Sequence, residues 1–296
     1  VFQCPAKINL ALAVGAPRDD GFHPICSWMA KVSLMDEIVL TPRTAASRFE
    51  IEWAEDAPSP SAIDWPVEKD LAFRAHAMMQ DAASRELPVE AIVRKRIPVG
   101  AGLGGGSSDA AGMMLALRSV FELPISDEQL RSIAAELGSD VAFFLNGPSA
   151  VAMGRGEICR SVELPGRLDL VLILPPLHCN TAAVYRKFDA LNPDAVLNDS
   201  HVQAQALCGA TMVMDDELFN DLADAAEAVE PRLAQVRGLC QAAAGRRVHV
   251  TGSGAAMFAL CRDATEAMAV AEAIRRAVEI PAVAVETMGG KESVPR

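Results

Sequence analysis

The segment IPVGAGLGGGSSDAAGMML, residues 97–115, sets five glycines (Gly100, Gly102, Gly104, Gly105 and Gly106) between an alternating apolar run and an alanine-rich one. Glycine loses more conformational freedom on ordering than any other residue, so a cluster of it marks a place where the backbone itself must reach something. The flanks narrow the choice. VEAIVRKRIPV alternates with period two and predicts a strand; the run after the glycines predicts a helix from about Ser107 to Phe121. A strand, a glycine turn and a helix amino end in succession make a concavity of backbone N–H groups, with about half a positive charge from the helix dipole behind it. Such a concavity suits a phosphate. Ser107, Ser108 and Asp109 fall at the helix start, where they suit capping, phosphate contact or magnesium. Lys95 and Arg96 stand just upstream. A tight crossover with no ligand is the competing structural explanation.

Two phosphate loops can be tested against the letters. A Walker A loop ends in Gly-Lys-Ser/Thr, and no lysine is present here. Gly100, Gly102 and Gly105 satisfy the dinucleotide pattern GxGxxG, and Glu122 lies near the spacing of a ribose-binding acid. A nicotinamide-dependent oxidoreductase is therefore an alternative. The dinucleotide loop usually opens its domain, however, and the surplus glycines and the serine pair are left unexplained by it.

The rest of the chain supplies a frame. Residues 5–14, 34–40 and 47–53 predict strands, and residues 68–84 a helix. SDEQLRSIAAELG has the Ser-x-x-Gln capping box at Ser126 and Gln129 and closes at Gly138. AVAMGRGEICRSVEL predicts strand and hairpin, and LDLVLILPP a buried strand. Helices are expected at 181–190, 217–228 and 231–243, followed by strands RVHVTGSG and AAMFALC, a helix ATEAMAVAEAIRRAV and a strand AVAVETM. Strands and helices without a fixed repeat indicate an α+β protein. The expected division is residues 1–160 and 161–296.

Composition excludes several classes. The formal net charge of −12 comes without a basic patch, which argues against nucleic-acid binding. No apolar run has the ~18 residues of a membrane span, and the start carries no basic region followed by a cleavage site. A cytoplasmic place is expected. Seven cysteines without a CxxC pair predict reduced thiols and no zinc site.

Three further segments stand in order along the chain: PAKINL with Lys7, LGSDVAFFL with Asp140, and VTGSGAAMFAL with Gly252 and Gly254. Alone, each has a bland explanation: a snorkelling strand lysine, a helix-end cap, a hairpin turn. Together with PVGAGLGGGSSDAA they resemble the GHMP kinase superfamily, the glycine loop matching its second motif and TGSGAAMFAL its third. PAKINLALAV, DDGFHPI, LGSDVAFFL and AMGRGE are similar to its members that phosphorylate the tertiary hydroxyl at position 2 of a methylerythritol unit carrying a cytidine diphosphate, in non-mevalonate isoprenoid synthesis.

The resemblance implies a two-domain GHMP kinase fold. Its N-terminal, ATP-binding domain is like domain 2 of ribosomal protein S5, its C-terminal domain is ferredoxin-like, and the active site lies in the cleft between them. ATP is the implied co-substrate, with magnesium, and the implied acceptor is a small molecule bearing a cytidine diphosphate. Asp140 would take the proton of the attacking hydroxyl, and Lys7 would keep Asp140 ionised. Pro98, Gly100, Gly102, Leu103, Gly104, Gly105, Gly106, Ser107 and Ser108 would hold the nucleotide phosphates. Phe22, His23, Tyr185, Thr181 and Asn9 would meet the acceptor, with Phe22 and Tyr185 stacking on cytosine and His23 reading its edge. Two departures stand out. GFH replaces the family's GYH, and Asp70 stands where an asparagine usually precedes leucine near the adenine. The metal ligand stays unassigned, with Ser108 a candidate. Another GHMP kinase, acting on a sugar or a mevalonate-like alcohol, and a non-catalytic nucleotide-binding regulator are the remaining alternatives.

Overall fold

The computed structural model describes residues 1–197, 204 and 212–289, and the chain forms two compact units. Its strands are β1 (Phe2–Val14), β2 (Ile25–Pro42), β3 (Arg48–Trp53), β4 (Val89–Lys95), β5 (Ser149–Gly154), β6 (Ile158–Ser161), β7 (Asp169–Ile173), β8 (Phe219–Asn220), β9 (His249–Val250), β10 (Met257–Cys261) and β11 (Ala282–Glu286). Its described helices are α1 (Leu71–Ala83), α2 (Gly105–Val120), α3 (Asp127–Leu137), α4 (Val141–Phe144), α5 (Thr181–Leu191), α6 (Ala223–Val229), α7 (Pro231–Ala244) and α8 (Ala264–Val278). None of these helices is long and apolar enough to cross a membrane.

One unit comprises Val1–Ala6, Leu34–Val99 and Gly104–Leu145. There the second half of β2 runs antiparallel to β4, from Glu37 opposite Arg94 to Pro42 opposite Val89, and β3 pairs parallel with β4. β4 alternates as its sequence predicts, burying Val89, Ala91 and Val93 on one face. Lys95 falls on that same face, so the strand period carries a lysine into the interior. Helix α1 packs on α2 and α3, and α2 on α4. α2 opens with small residues, and a Cβ on Gly112 would lie 2.3 Å from Cys4 Sγ. Only glycine lets the start of β1 pass that close to the helix.

The other unit comprises Lys7–Ser33, Gly100–Leu103 and the described residues from Asn146 onward. The first half of β2 pairs antiparallel with β5, which forms a hairpin with β6; β1 pairs parallel with β8 at Ala11–Phe219. A separate antiparallel sheet has the order β11-β7-β10-β9. Numbering those four strands as they occur, the order is 4-1-3-2 with helices after the first and third, the ferredoxin-like arrangement. α8 packs on β7, β10, β11 and α7, closing a core that includes Val171, Ile173, Val250, Met257, Ala271 and Ile274.

Two elements differ from expectation. β2 begins at Ile25, nine residues before the predicted strand, because Cys26–Val32 is buried on both faces and so lacks period-two alternation. The helix expected at 217–228 is confined to α6, because Phe219–Asn220 joins β1. Asn220 then directs its own side chain into the backbone: its amide donates to the carbonyls of Val250 (2.9 Å) and Gly252 (2.8 Å), and its Oδ1 accepts from Leu222 N (2.9 Å).

Candidate active site

Lys7 and Asn9 are two apart on β1 and share a buried face. Lys7 Nζ donates to Asn9 Oδ1 at 2.7 Å, and the Asn9 amide donates to Ser27 Oγ at 2.8 Å. Thr251 Oγ1 accepts from Asn9 N at 2.9 Å and donates to Asn9 Oδ1 at 3.2 Å. Asn9 thus has both ends of its amide engaged within the protein and fixes where the lysine head lies.

Two glycine turns meet beside this network. Lys7 N donates to Leu103 O (2.9 Å), and Ala256 N donates to Ala101 O (3.0 Å). Gly102 has φ +81°, and a Cβ there would lie 2.7 Å from Thr251 O; one on Gly252, with φ +57°, would lie 3.0 Å from Gly102 O and 3.2 Å from Lys7 Nζ. Backbone packs on backbone here, which only glycine permits. The first part of the predicted phosphate loop, the catalytic lysine candidate and the third-motif turn are therefore brought together. Asn220, which anchors the Gly252 carbonyl, was not visible in the sequence.

The acceptor candidates form a second group in the same unit. His23 Nε2 lies 2.6 Å from Asp189 Oδ1, and its ring centroid is 4.8 Å from that of Tyr185. Asp189 lies one helical turn after Tyr185 on α5, a spacing that could have marked it. Phe22 is exposed, with the Arg155 guanidinium 4.9 Å from its ring centroid. Thr181 opens α5, and its Oγ1 is 3.0 Å from Ser253 Oγ. His178 has its ring against Gly100, where a Cβ would lie 3.0 Å from Cε1.

The rest of the glycine loop, in the unit holding α2, supplies that helix's amino end. Gly104 is the N-cap residue at φ 72°, ψ 18°, with no side-chain cap, and no acidic residue stands in the first turn. Ser107 and Ser108 lie inside the helix rather than at the cap. The Ser108 hydroxyl is buried and has no hydrogen-bond partner. A buried hydroxyl without a partner costs stability, so its retention points to a ligand. Asp109 is not a cap either. It accepts from Lys95 Nζ at 2.5 Å, and Lys95 also donates to Asp36. Burial works against the Lys95 ammonium, but the charges of Asp109 and Asp36 outweigh it and hold its pKa above the ordinary lysine value. Burial also pushes the Asp109 carboxyl well above the usual range. Lys95 and Arg96, which the sequence placed near the phosphates, are thus engaged by carboxylates: Lys95 as above, Arg96 with Asp56 and Glu37.

Asp140 heads the single turn α4 and makes no side-chain cap, while the four residues behind it are all buried. Asp70 caps α1, its Oδ1 accepting from Ala72 N (2.9 Å), and its Oδ2 accepts from Trp65 Nε1 (3.1 Å). The departure from asparagine is therefore accommodated as a helix cap. Glu122, the ribose-acid candidate of the dinucleotide alternative, sits past the far end of α2, about 24 Å from the glycines at 1.5 Å per residue. Among the described residues no group of three or more His, Cys, Asp or Glu side chains could hold a metal.

The arrangement is that of a nucleotide-dependent phosphotransferase, and the comparisons agree. Residues 70–148 match the GHMP kinases N terminal domain, and residues 206–280 match the GHMP kinases C terminal domain. The mevalonate kinase of L. major shares the fold, with a TM-score of 0.73 at 14% identity over 99% of this chain and 96% of that one. Nearer relatives are more specific. The chain is 36% identical to the 4-diphosphocytidyl-2-C-methyl-D-erythritol kinase of Nocardioides sp. over 91% of both chains. It is also 36% identical to that of Thermus thermophilus, over 92% of this chain and 91% of the relative. A crystal structure of 4-(cytidine 5'-diphospho)-2C-methyl-D-erythritol kinase superposes with a TM-score of 0.78 at 33% identity, covering 97% of this chain and 99% of that one. The chain belongs to the GHMP kinase family, and within it to the 4-diphosphocytidyl-2-C-methyl-D-erythritol kinases. It is an ATP-dependent small-molecule kinase.

Proposed function

We propose that the protein transfers the γ-phosphoryl group of ATP to the tertiary hydroxyl at position 2 of 4-diphosphocytidyl-2-C-methyl-D-erythritol, in isoprenoid precursor synthesis. The observation that carries this choice of acceptor is likeness to kinases of that name over nine-tenths of both chains. A cytoplasmic place belongs to the same reading, as does an assignment of residues 1–160 to ATP binding and 161–296 to the C-terminal domain.

Phosphoryl transfer asks a protein for positioning and charge stabilisation more than for covalent chemistry. In this reading Pro98 and the backbone from Gly100 to Ser108 hold the nucleotide phosphates. The uncapped amino end of α2 supports it, since its first N–H groups have no side-chain acceptor. Asp140 accepts the proton of the attacking hydroxyl, held on a turn whose other residues are buried. Lys7 is the second catalytic residue of this reading, its ammonium fixed by Asn9. His23, steadied by Asp189, meets the cytosine edge. Tyr185 and Phe22 stack on the cytosine, and the Thr181 hydroxyl, beside Ser253, is assigned to the same acceptor.

Magnesium fits one feature of this chain, the unpartnered Ser108 hydroxyl. Magnesium in kinases rests mainly on substrate phosphates and water, which suits a site without a carboxylate cluster. When bound, it neutralises charge on the phosphates.

Purified protein incubated with ATP and a panel of alcohols tests the reading. ADP release is expected with the cytidine-diphosphate acceptor and not with mevalonate or homoserine; the reverse pattern would sink it. Asp140→Asn and Lys7→Ala should each lower kcat by about a thousandfold while ATP still binds. Near-normal turnover in either would remove that residue from its role.

A further inference from the structure

The phosphate-transfer reading makes no use of a buried group of three charges in the unit that holds α2. Asp36 lies on β2, Lys95 ends β4, and Asp109 lies in the second turn of α2; their side chains are between 0% and 5% exposed. Lys95 Nζ donates to both carboxylates. The second oxygen of Asp36 accepts from two successive backbone amides, Arg96 N and Ile97 N (2.8 Å). Those amides belong to the residues through which β4 leaves the sheet for the glycine loop. Asp109 belongs to the helix by which the loop returns.

One chain of charge-assisted bonds therefore joins the loop's exit from the sheet to its re-entry into the helix. Such bonds are shorter and about twice as strong as neutral ones. The two ends are also close in space. A Cβ on Gly105, the first residue of α2, would lie 2.9 Å from Ile97 Cγ2 and 3.4 Å from Lys95 Nζ. Ser108, with its unpartnered hydroxyl, is the residue next to Asp109.

A buried group of two carboxylates and one ammonium is a poor way to gain stability, because desolvation of the charges offsets their attraction. What it fixes well is geometry. We infer that Asp36, Lys95 and Asp109 are positioning residues for ATP: they clamp the two ends of the glycine loop and so set the spacing between its amides and Ser108. The inference rests on the reading that this loop holds the ATP phosphates. None of the three touches the nucleotide in this account; they act through Ile97, Gly105 and Ser108.

Two near-isosteric variants test it, Asp109→Asn and Asp36→Asn, each keeping an acceptor oxygen while removing a charge. ATP affinity is measured by calorimetry, separately from turnover, along with KM for both substrates. Both variants should weaken ATP binding about tenfold or more, leave the acceptor KM within about threefold and keep most of kcat at saturating ATP. A folded variant that binds ATP as the unmodified protein does would overturn the inference. So would a variant that loses kcat and both affinities together, since that is general damage. Hydrogen exchange on the unmodified protein adds a check that needs no variant: the Ile97 amide should exchange as slowly as those of the β4 core, and fast exchange there would equally overturn the clamp. If the unmodified protein binds no ATP at all, the phosphate reading fails first, and the two failures are distinguishable.

Discussion

Helices α2 and α3 lie in the same unit, start with similar residue types and are finished at their amino ends in opposite ways. At α3, Ser126 is the N-cap residue: its hydroxyl accepts from Gln129 N (3.2 Å), Gln129 Oε1 accepts from Ser126 N (2.9 Å), and Asp127 and Glu128 offset the dipole in the first turn. At α2, two serines and an aspartate are also present, but Gly104 holds the cap position and shifts them inward by three residues or more. Ser108 is left without a partner and Asp109 turns to Lys95. One helix satisfies itself and the other leaves its first donors and its dipole without a side-chain partner. Register relative to the cap, rather than residue type, separates a self-capped helix start from an open one.

Substitutions at the two helices can break or sharpen that contrast. The largest effect is expected at Ser108. Ser108→Ala removes a hydroxyl that bonds to nothing in the protein, so stability to urea should hold or rise slightly. kcat/KM for ATP should fall about a hundredfold, the scale of losing one placed polar group in an active site. Lower stability with intact kinetics would make the residue structural. Next is Gly112→Ala. In an exposed helix this change gains up to about 1 kcal/mol. Here the new methyl meets Cys4 Sγ, and a loss of about 2 kcal/mol is expected in equilibrium unfolding. Gly106→Asp tests the empty dipole directly. The nearest atom to a Cβ at that position is Leu71 Cδ1 at 3.6 Å, so the side chain has room. The helix should gain a few tenths of a kcal/mol while KM for ATP rises about tenfold, because the carboxylate occupies the amino end in place of a phosphate. Ser126→Ala is the smallest and should cost α3 about 1 kcal/mol with no change in either KM.

Much of this was legible in the letters where local rules act alone. The capping box of α3, the strand period of β4 and the span of α5 follow from short-range preferences, and the structure repeats them nearly residue by residue. The glycine cluster announced a close backbone approach, and at Gly102 the approached group is the Thr251 carbonyl. What stayed hidden depends on partners far along the chain. Lys95 stood just upstream of the loop with its partner out of view, because Asp36, fifty-nine residues earlier, gives no local sign of reaching it. Asn220 fell within a predicted helix, and only the pairing of Phe219 with Ala11 turns its amide toward Gly252. Asn9 was expected to meet the acceptor, and nothing local announced the bonds to Ser27 and Thr251 that also hold it. Burial on both faces likewise erased the alternation by which the first half of β2 would have been recognised.

The meeting of Gly102 with Gly252 has a consequence for how such a chain can change over generations. A Cβ on Gly252 would meet Gly102, one on Gly102 would meet the backbone of Thr251 and Gly254, and each glycine sits at a positive φ that other residues adopt only with strain. Enlarging either cannot be relieved by trimming a neighbouring side chain, because backbone atoms stand in the way. The two segments are frozen as a pair, and no path of single substitutions widens the space between them. The His23, Tyr185 and Asp189 side chains, by contrast, meet one another through rings and a carboxylate rather than through backbone, and there single substitutions have room.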